Sequence, residues 1–143
     1  VFARQPAERA FALSLGASWA GGAEDSSPEP LAAIIDTTPA WKPVVEGLAH
    51  LAPGGRLVIN AIRKMREDQA ELLKLDYATH LWMERELKTV ANVTRADVRE
   101  MLAAAVELGL RPTIEEMPLE HANDALDALR RGAVVRGARV LRI

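Results

Sequence analysis

Cysteine is absent from the 143 residues. Disulfides and thiolate metal sites within this chain are thereby excluded, and a reducing, cytoplasmic setting is the default expectation. No apolar run is long enough to cross a membrane, and no signal-peptide pattern is present. Neither sign of charge dominates: 18 basic and 20 acidic residues leave a net charge of −2, which indicates no nucleic acid or other polyanion as partner. The three histidines, His50, His80 and His121, lie far apart, and no pair has metal-ligand spacing. They are expected to be solvated or to cap helices. A G-x-G-x-x-G turn, an internal repeat and a low-complexity tract are all missing.

What is present is ordinary in bulk. Apolar residues make up 49% and charged residues 27%, and the length suffices for one domain with a real core. The informative feature is periodicity. Residues 31–61, "LAAIIDTTPAWKPVVEGLAHLAPGGRLVINA", read as strand, helix, turn and strand. The strand at 32–36 is apolar through Ile34 and Ile35, and Pro39 stops it. Val44, Val45, Leu48 and Leu51 then recur at spacings of three and four, one face of a helix over 41–51. Pro53-Gly54-Gly55 predicts a turn, and 56–61 the next strand.

Around this unit the alternation continues. Val1–Ala3 reads as a strand already under way, with no methionine before it, so the chain is expected to start inside a domain. Pro6 suits the first turn of a helix that Gly16 closes. Residues 17–20 form a candidate short strand and 21–30 a polar loop. The tract 63–71, "RKMREDQAE", is expected to be solvated. Residues 72–86 are partly helical, and 87–93 predict a strand. Thr94 caps a helix with Asp97 in its first turn, and Val98, Met101, Leu102, Ala105 and Leu108 share one side of it. An extended segment at 111–119, a helix at 121–131 and a strand at 136–143 complete the chain. Strands alternating with helices over short connections predict an α/β fold, a doubly wound parallel sheet covered on both faces.

In such a sheet the ligand lies beyond the carboxyl ends of the strands. The residues there are Arg4, Thr37, Thr38, Asn60, Ala61, Asn92 and Val93. They are small, polar or cationic, and none is an evident acid, base or nucleophile. A row of this kind suits binding a cofactor through backbone groups and short side chains. Asp36, ending a buried strand, is expected to hold backbone amides of the following loop rather than to do acid–base work. Trp19, Trp41 and Trp82 sit at element boundaries and are expected to fill packing gaps.

Two stretches carry a resemblance: "ATHLWMERELKTVANVTRADVREMLAAA" and "PLEHANDALDALRRGAVVRGARVLRI". They resemble the C-terminal part of zinc-dependent alcohol dehydrogenases of the medium-chain dehydrogenase/reductase family. Val90–Val93, Thr94, Arg95 and Asp97 match that family's strand end and Thr-Arg-x-Asp helix start. Pro118, Leu119, Glu120, Ala122, Asn123, Ala125, Leu126, Leu129, Gly132, Gly137, Val140 and Leu141 match its terminal pattern, and Leu15–Ala17 its second helix end. Each motif alone is weak; their order and spacing are specific, and the likeness spans nearly the whole chain.

The resemblance implies a fragment. Residues 1–110 are part of a Rossmann-like nicotinamide-dinucleotide-binding domain lacking its first strand and glycine-rich turn. Residues 111–143 return to pack on a GroES-like catalytic domain that would carry the zinc. It implies NAD(P) as cofactor, an alcohol or aldehyde as substrate, and a homo-oligomer when complete. Arg4 and Arg9 would meet the adenosine ribose, and with no acidic strand tip they imply NADP(H). Thr37 and Thr38 would line the adenine side, Asn60, Ala61 and Ile62 the nicotinamide ribose, and Ala91, Asn92 and Val93 the carboxamide. Trp82 matches a segment near the subunit or cofactor edge. Relatives often carry a lysine where Glu8 stands, and a basic residue after the terminal glycine; here Ala138 follows Gly137, between Arg136 and Arg139. The fragment itself is expected to be inactive. Two other readings compete: an S-adenosylmethionine-dependent methyltransferase-like domain, on "LAPGGRLVI", and a nucleotide-binding module without catalysis.

Overall fold

The structure, a computed structural model, describes residues 1–132 and 137–143. It divides into two compact units, Val1–Asn92 and Val93–Ile143.

The first unit is built on a three-stranded parallel sheet, β1 (Leu31–Asp36), β2 (Leu51–Ile59) and β3 (Glu86–Thr89), in that order. Helix α2 (Lys42–Ala49) connects β1 to β2. Its apolar stripe does what the spacing predicts. Val44, Val45 and Leu48 are buried, and Val44 and Leu48 pack with Leu51, Leu57 and Ile59 into one core cluster. Gly47 lets the helix approach: a Cβ there would sit 2.9 Å from Leu57 Cδ1. Across the sheet, Arg56 Nε donates to Glu86 Oε2 at 2.6 Å, pairing two residues in direct register. That guanidinium holds the Glu86 carboxyl below its usual range. Helix α1 (Pro6–Ser14) starts where the Gln5 N–H donates to Glu8 Oε2 at 3.1 Å, and Gly16 follows its end with φ of 98°.

Several expectations are corrected. Val1–Ala3 is not a strand of this sheet. Phe2 instead forms an isolated parallel bridge to Gly21, which is also all that remains of a strand at 17–20. The pairing cannot lengthen because Gln5 already caps α1 and Pro6 begins it. The α2 helix ends at Ala49, and Leu51 opens β2 rather than closing the helix. Pro53-Gly54-Gly55 lies within β2. The register jumps from Leu31–Leu51 to Ala33–Arg56, so these residues loop out, with Gly54 at φ of 68°. β2 stops at Ile59 and β3 at Thr89, short of Ala61 and Val93. The sheet is not covered on both faces: Ile34, Leu57 and Ile59 turn toward the α2 core, whereas Ile35, on the opposite face, is 70% exposed.

The second unit contains α3 (Arg95–Glu107), β4 (Ile114–Pro118), α4 (Ala122–Arg130) and β5 (Ala138–Arg142). β4 and β5 form a separate two-stranded parallel sheet. The Thr94 cap is present in full: Asp97 N–H donates to Thr94 Oγ1 at 3.2 Å, and Thr94 N–H to Asp97 Oδ2 at 2.8 Å. Gly137 has φ of 112°, and a Cβ there would come within 2.0 Å of the Thr113 carbonyl oxygen, so glycine is obligatory. The stripe on α3 stays uncovered, with Val98, Met101, Leu102 and Leu108 all exposed.

This contrast generates a test. Leu48 is fully buried and Leu102 is 55% exposed. In this chain Leu48→Ala should lower unfolding free energy by roughly 2–5 kcal/mol, whereas Leu102→Ala should change it by about 0.5 kcal/mol or less. Urea titrations followed by circular dichroism measure both. Equal losses would place the core elsewhere.

Candidate functional site

The carboxyl ends of β1 and β2 meet at Asp36. Its carbonyl accepts the Asn60 N–H at 2.7 Å, which ties the two strand tips together. Its side chain is nearly inaccessible, at 3% exposed. Oδ1 accepts from Thr38 N–H at 3.2 Å and from Thr38 Oγ1 at 2.8 Å. Asp36 thus holds the following loop, as its position at a strand end predicts. A buried carboxylate also demands a counter-charge. Lys64 supplies it, with its ammonium on Oδ2 and its side chain only 11% exposed.

Lys64 overturns the solvated reading of the charged tract at its own position. Its Nζ also donates to the carbonyls of Thr38, at 3.0 Å, and Ala40, at 2.7 Å, and lies 5.7 Å from the centroid of the Trp41 ring. Met65 N–H donates to Pro39 O at 2.8 Å. Asp68 closes the run. One of its oxygens accepts from the N–H groups of Trp41, at 2.7 Å, and Lys42, at 2.9 Å. These are orphan donors at the start of α2, whose own N-cap, Trp41, offers no capping side chain. Residues 64–68 therefore run along 38–42, fastened at three levels. By contrast Arg63, Met65, Arg66 and Glu67 are exposed.

The predicted site residues divide into groups. Thr37, Thr38, Asn60, Ala61 and Ile62 come together at the tips of β1 and β2; Thr37 and Asn60 are exposed, Thr38 is half-buried, and Ile62 is wholly exposed. Ala91 and Asn92 follow the β3 tip, where Val90 N–H reaches Ile59 O at 3.3 Å and Asn92 takes a left-handed φ of 62°. Val93 belongs to the second unit and is 70% exposed. Arg4 is exposed. Arg9 is half-buried, with Nη1 3.9 Å from Asp25 Oδ2. In the second unit Arg139 is turned inward, to Glu115 at 3.0 Å and toward the Ala125 carbonyl. Arg136 lies outside the described residues.

A cleft of about 470 Å³ borders β1, with Val1, Phe2 and Trp19 on one side and Ile35, Asp36 and Thr38 on the other. Phe2 stacks on His50, with centroids 5.2 Å apart, and meets Trp19 edge-on at 5.0 Å. Edge backbone borders this cleft. Because Asp36 O turns toward β2, alternation along a parallel strand turns the N–H and C=O of Ile35 away from β2. Gly21 bonds Val1 O and Ala3 N–H, so the N–H and C=O of Phe2 likewise point away from Gly21. His50 also terminates α2, His80 Nδ1 lies 3.0 Å from Asp76 N, and His121 Nδ1 lies 2.9 Å from Asp124 Oδ2. Trp82 is 54% exposed and contacts Tyr77 edge-on. No group of three or more His, Cys, Asp and Glu among the described residues is placed to hold a metal, and no described helix is long and apolar enough to cross a membrane.

Sequence reasoning missed Lys64 and Asp68. Two signals pointed to them: an aspartate at the end of a buried strand, which needs a cation, and a helix opening on Trp-Lys-Pro without its own cap. The Lys42 and Trp41 amides hold the Asp68 carboxyl below the usual aspartate value. A carboxylate depressed in the folded state contributes stability above its unfolded value, about pH 3.9, and loses it as pH falls through the folded one. Amide exchange at Trp41 and Lys42 should therefore accelerate below about pH 3.9, beyond the general trend of the chain. Asp68→Ala, which removes the acceptor, should produce fast exchange at all pH values; retained protection in that variant would remove Asp68 from the capping role.

No family model matches the chain. It is 36% identical over all 143 residues to a probable alcohol dehydrogenase, AdhA, of Mycobacterium tuberculosis, of which it spans 40%. Among solved structures, CAD of Helicobacter pylori complexed with NADP(H) superposes with a TM-score of 0.73 at 20% identity, over 99% of this chain and 40% of that one. The Bacillus subtilis protein YhfP with NAD bound gives 0.70 at 17% identity, over 99% and 45%. These structural likenesses establish the α/β fold with parallel sheets. Along its whole length the chain matches 40% of that probable alcohol dehydrogenase.

Proposed function

We propose that the chain is part of the dinucleotide-binding half of a nicotinamide-dependent alcohol dehydrogenase. The complete protein would transfer hydride between an alcohol or aldehyde and NAD(P), with zinc assistance. The observation that carries this reading is the 36% identity over every residue of the chain, joined to a row of small polar tips at the carboxyl ends of parallel strands. The same match favours the dehydrogenase over the methyltransferase reading.

The residues at hand suit a dinucleotide better than a metal. Thr37 and Thr38 supply hydroxyls beside the cleft, Asn60 and Ala61 a short edge for the nicotinamide ribose, and Ala91 to Val93 backbone groups for its carboxamide. Bound there, the dinucleotide supplies the hydride chemistry. Zinc does not fit this chain: it has no cysteine, and no acidic or histidine cluster among its described residues. A zinc site belongs, on this proposal, to a GroES-like domain outside these residues. The open edge of β1 and the cleft beside it suit the first strand of a Rossmann sheet, which would bond Ile35 on one side and Phe2 on the other. A homo-oligomeric state and a cytoplasmic setting are part of the same proposal.

Cofactor preference follows from charge. Arg4 is exposed at the tip beyond Phe2, and the carboxylate beside it, Glu8, is engaged by the Gln5 N–H at 3.1 Å. Arg9 shares its charge with Asp25, which leaves Arg4 the main cation for a 2′-phosphate. A charge-assisted bond of this kind is worth roughly 1.5–3 kcal/mol, about tenfold in affinity or more. The complete protein should therefore use NADP(H) at least about tenfold more efficiently than NAD(H), and Arg4→Ala should erase most of that ratio. Equal kcat/KM for the two cofactors, untouched by Arg4→Ala, would refute the preference. In the same assay, reduced cofactor followed across a panel of simple alcohols, the 143-residue chain should be inert and the metal-loaded complete protein active. An inert complete protein would refute the dehydrogenase reading.

A further inference from the structure

We propose that Lys64 is a positioning residue for the dinucleotide site, a latch that holds the loop after β1 and the loop after β2 at a fixed spacing. The inference rests on the dinucleotide reading above and goes beyond it to a residue that touches neither tip's outer surface.

The geometry is that of two short arches pinned to one residue. The first arch is Thr37, held between Asp36 and the Thr38 hydroxyl and N–H that bond the Asp36 carboxylate. The second is 61–63, held at one end by the Asn60 N–H on Asp36 O and at the other by the Lys64 ammonium on the Asp36 carboxylate. Between those pins Ala61 packs against the core and Ile62 is fully exposed. Lys64 spans the gap between the arches through the carbonyls of Thr38 and Ala40. Asp68 then fastens the far end of the segment to the start of α2. All five tip residues that the dinucleotide reading uses at β1 and β2 lie on, or at the ends of, these two arches.

A stability role alone explains this arrangement poorly. Burying an ammonium and a carboxylate costs solvation that their attraction only partly returns, and well-packed apolar replacements of such pairs are often as stable. What apolar side chains cannot do is anchor two loops at defined distances through five directed bonds. The pair also sits where the strands end, which is where ligand-facing geometry is set. Its cost is matched to a position in which spacing matters.

The test uses the complete protein and its Lys64→Gln, Lys64→Arg and Asp68→Ala variants. Dissociation constants for NADH and NADPH are measured by calorimetry, with far-UV circular dichroism and thermal midpoints alongside. Lys64→Gln should weaken both dinucleotides at least tenfold and speed amide exchange at Thr38 and Met65, while the Lys64→Arg protein, which keeps the cation, should bind within about threefold of the parent. A purely structural role would lower the thermal midpoint and leave the dissociation constants in place. A folded Lys64→Gln protein that binds as the parent does overturns the proposal. Where Lys64→Gln fails to fold, Asp68→Ala decides: it removes the acceptor for the first α2 amides and loosens the same segment without stripping the buried charge, and should weaken binding at least threefold. Unchanged binding in Asp68→Ala then overturns the latch. A parent protein that binds neither dinucleotide overturns the site reading itself and the latch with it, whereas binding by the parent with no effect of Lys64→Gln overturns the latch alone.

Discussion

A buried aspartate at the end of β1 organises the candidate site. Asp36 has almost no contact with solvent, so every polar group it carries must find a partner inside the protein. Its carbonyl takes the Asn60 amide and thereby sets where β2 ends beside β1. Its carboxylate takes Thr38 and Lys64 and thereby sets the paths of two loops. Loss of the Lys64 charge would leave an unpaired carboxylate in the interior, and loss of Asp36 an unpaired ammonium. Each is the costly half-state of a buried pair. The two loops therefore share one buried anchor, which ties this end of the sheet together where its short, small side chains do not.

The parts legible in the sequence are those decided locally. The α2 stripe of Val44, Val45 and Leu48 needs only helical periodicity, and it forms the core as the spacing predicts. Thr94 and Asp97 lie three residues apart, and their reciprocal cap forms within that span. Asp36 holding Thr38 is a contact across two residues. What escaped was decided at long range. Lys64 reaches back 28 residues to Asp36, and Asp68 reaches back 27 to Trp41. Nothing within the tract "RKMREDQAE" distinguishes these two from their solvated neighbours. Only the demand on the other partner, a buried acid and an uncapped helix, singles them out. The strand ends are displaced as well. Ala61 and Val93 lie beyond Asn60 and Asn92, and the ladder has already stopped at Ile59 and Thr89.

The apolar surface left over is also informative. Ile35 on β1 and Val98, Met101, Leu102 and Leu108 on α3 are large, apolar and exposed. Their spacing is that of buried faces, period two in the strand and three to four in the helix. A sequence patterned for burial and a surface that remains open differ by the elements that would lie against it. The chain spans 40% of the curated relative it matches, and the mismatch between pattern and burial falls at faces where such elements would have to pack. The α2 side of the sheet needs nothing further, because Leu48, Leu51, Leu57 and Ile59 already close it.

On the proposed dinucleotide reading, the division of labour between strand tips and latch would follow from size. A dinucleotide lying across the ends of adjacent strands needs close backbone approach, and large side chains at those positions would hold it off. Small residues permit the approach but impose no geometry of their own, since Thr37, Asn60 and Ala61 carry few atoms with which to brace a loop. The bracing must then come from behind, through groups that contact the loops on the side away from the ligand. Lys64 bonded to the carbonyls of Thr38 and Ala40, and Asp68 bonded to the first amides of α2, fill that place. On this argument the charge buried under the site is the counterpart of the small residues on top of it. Substitution of either layer should reach the ligand through the other.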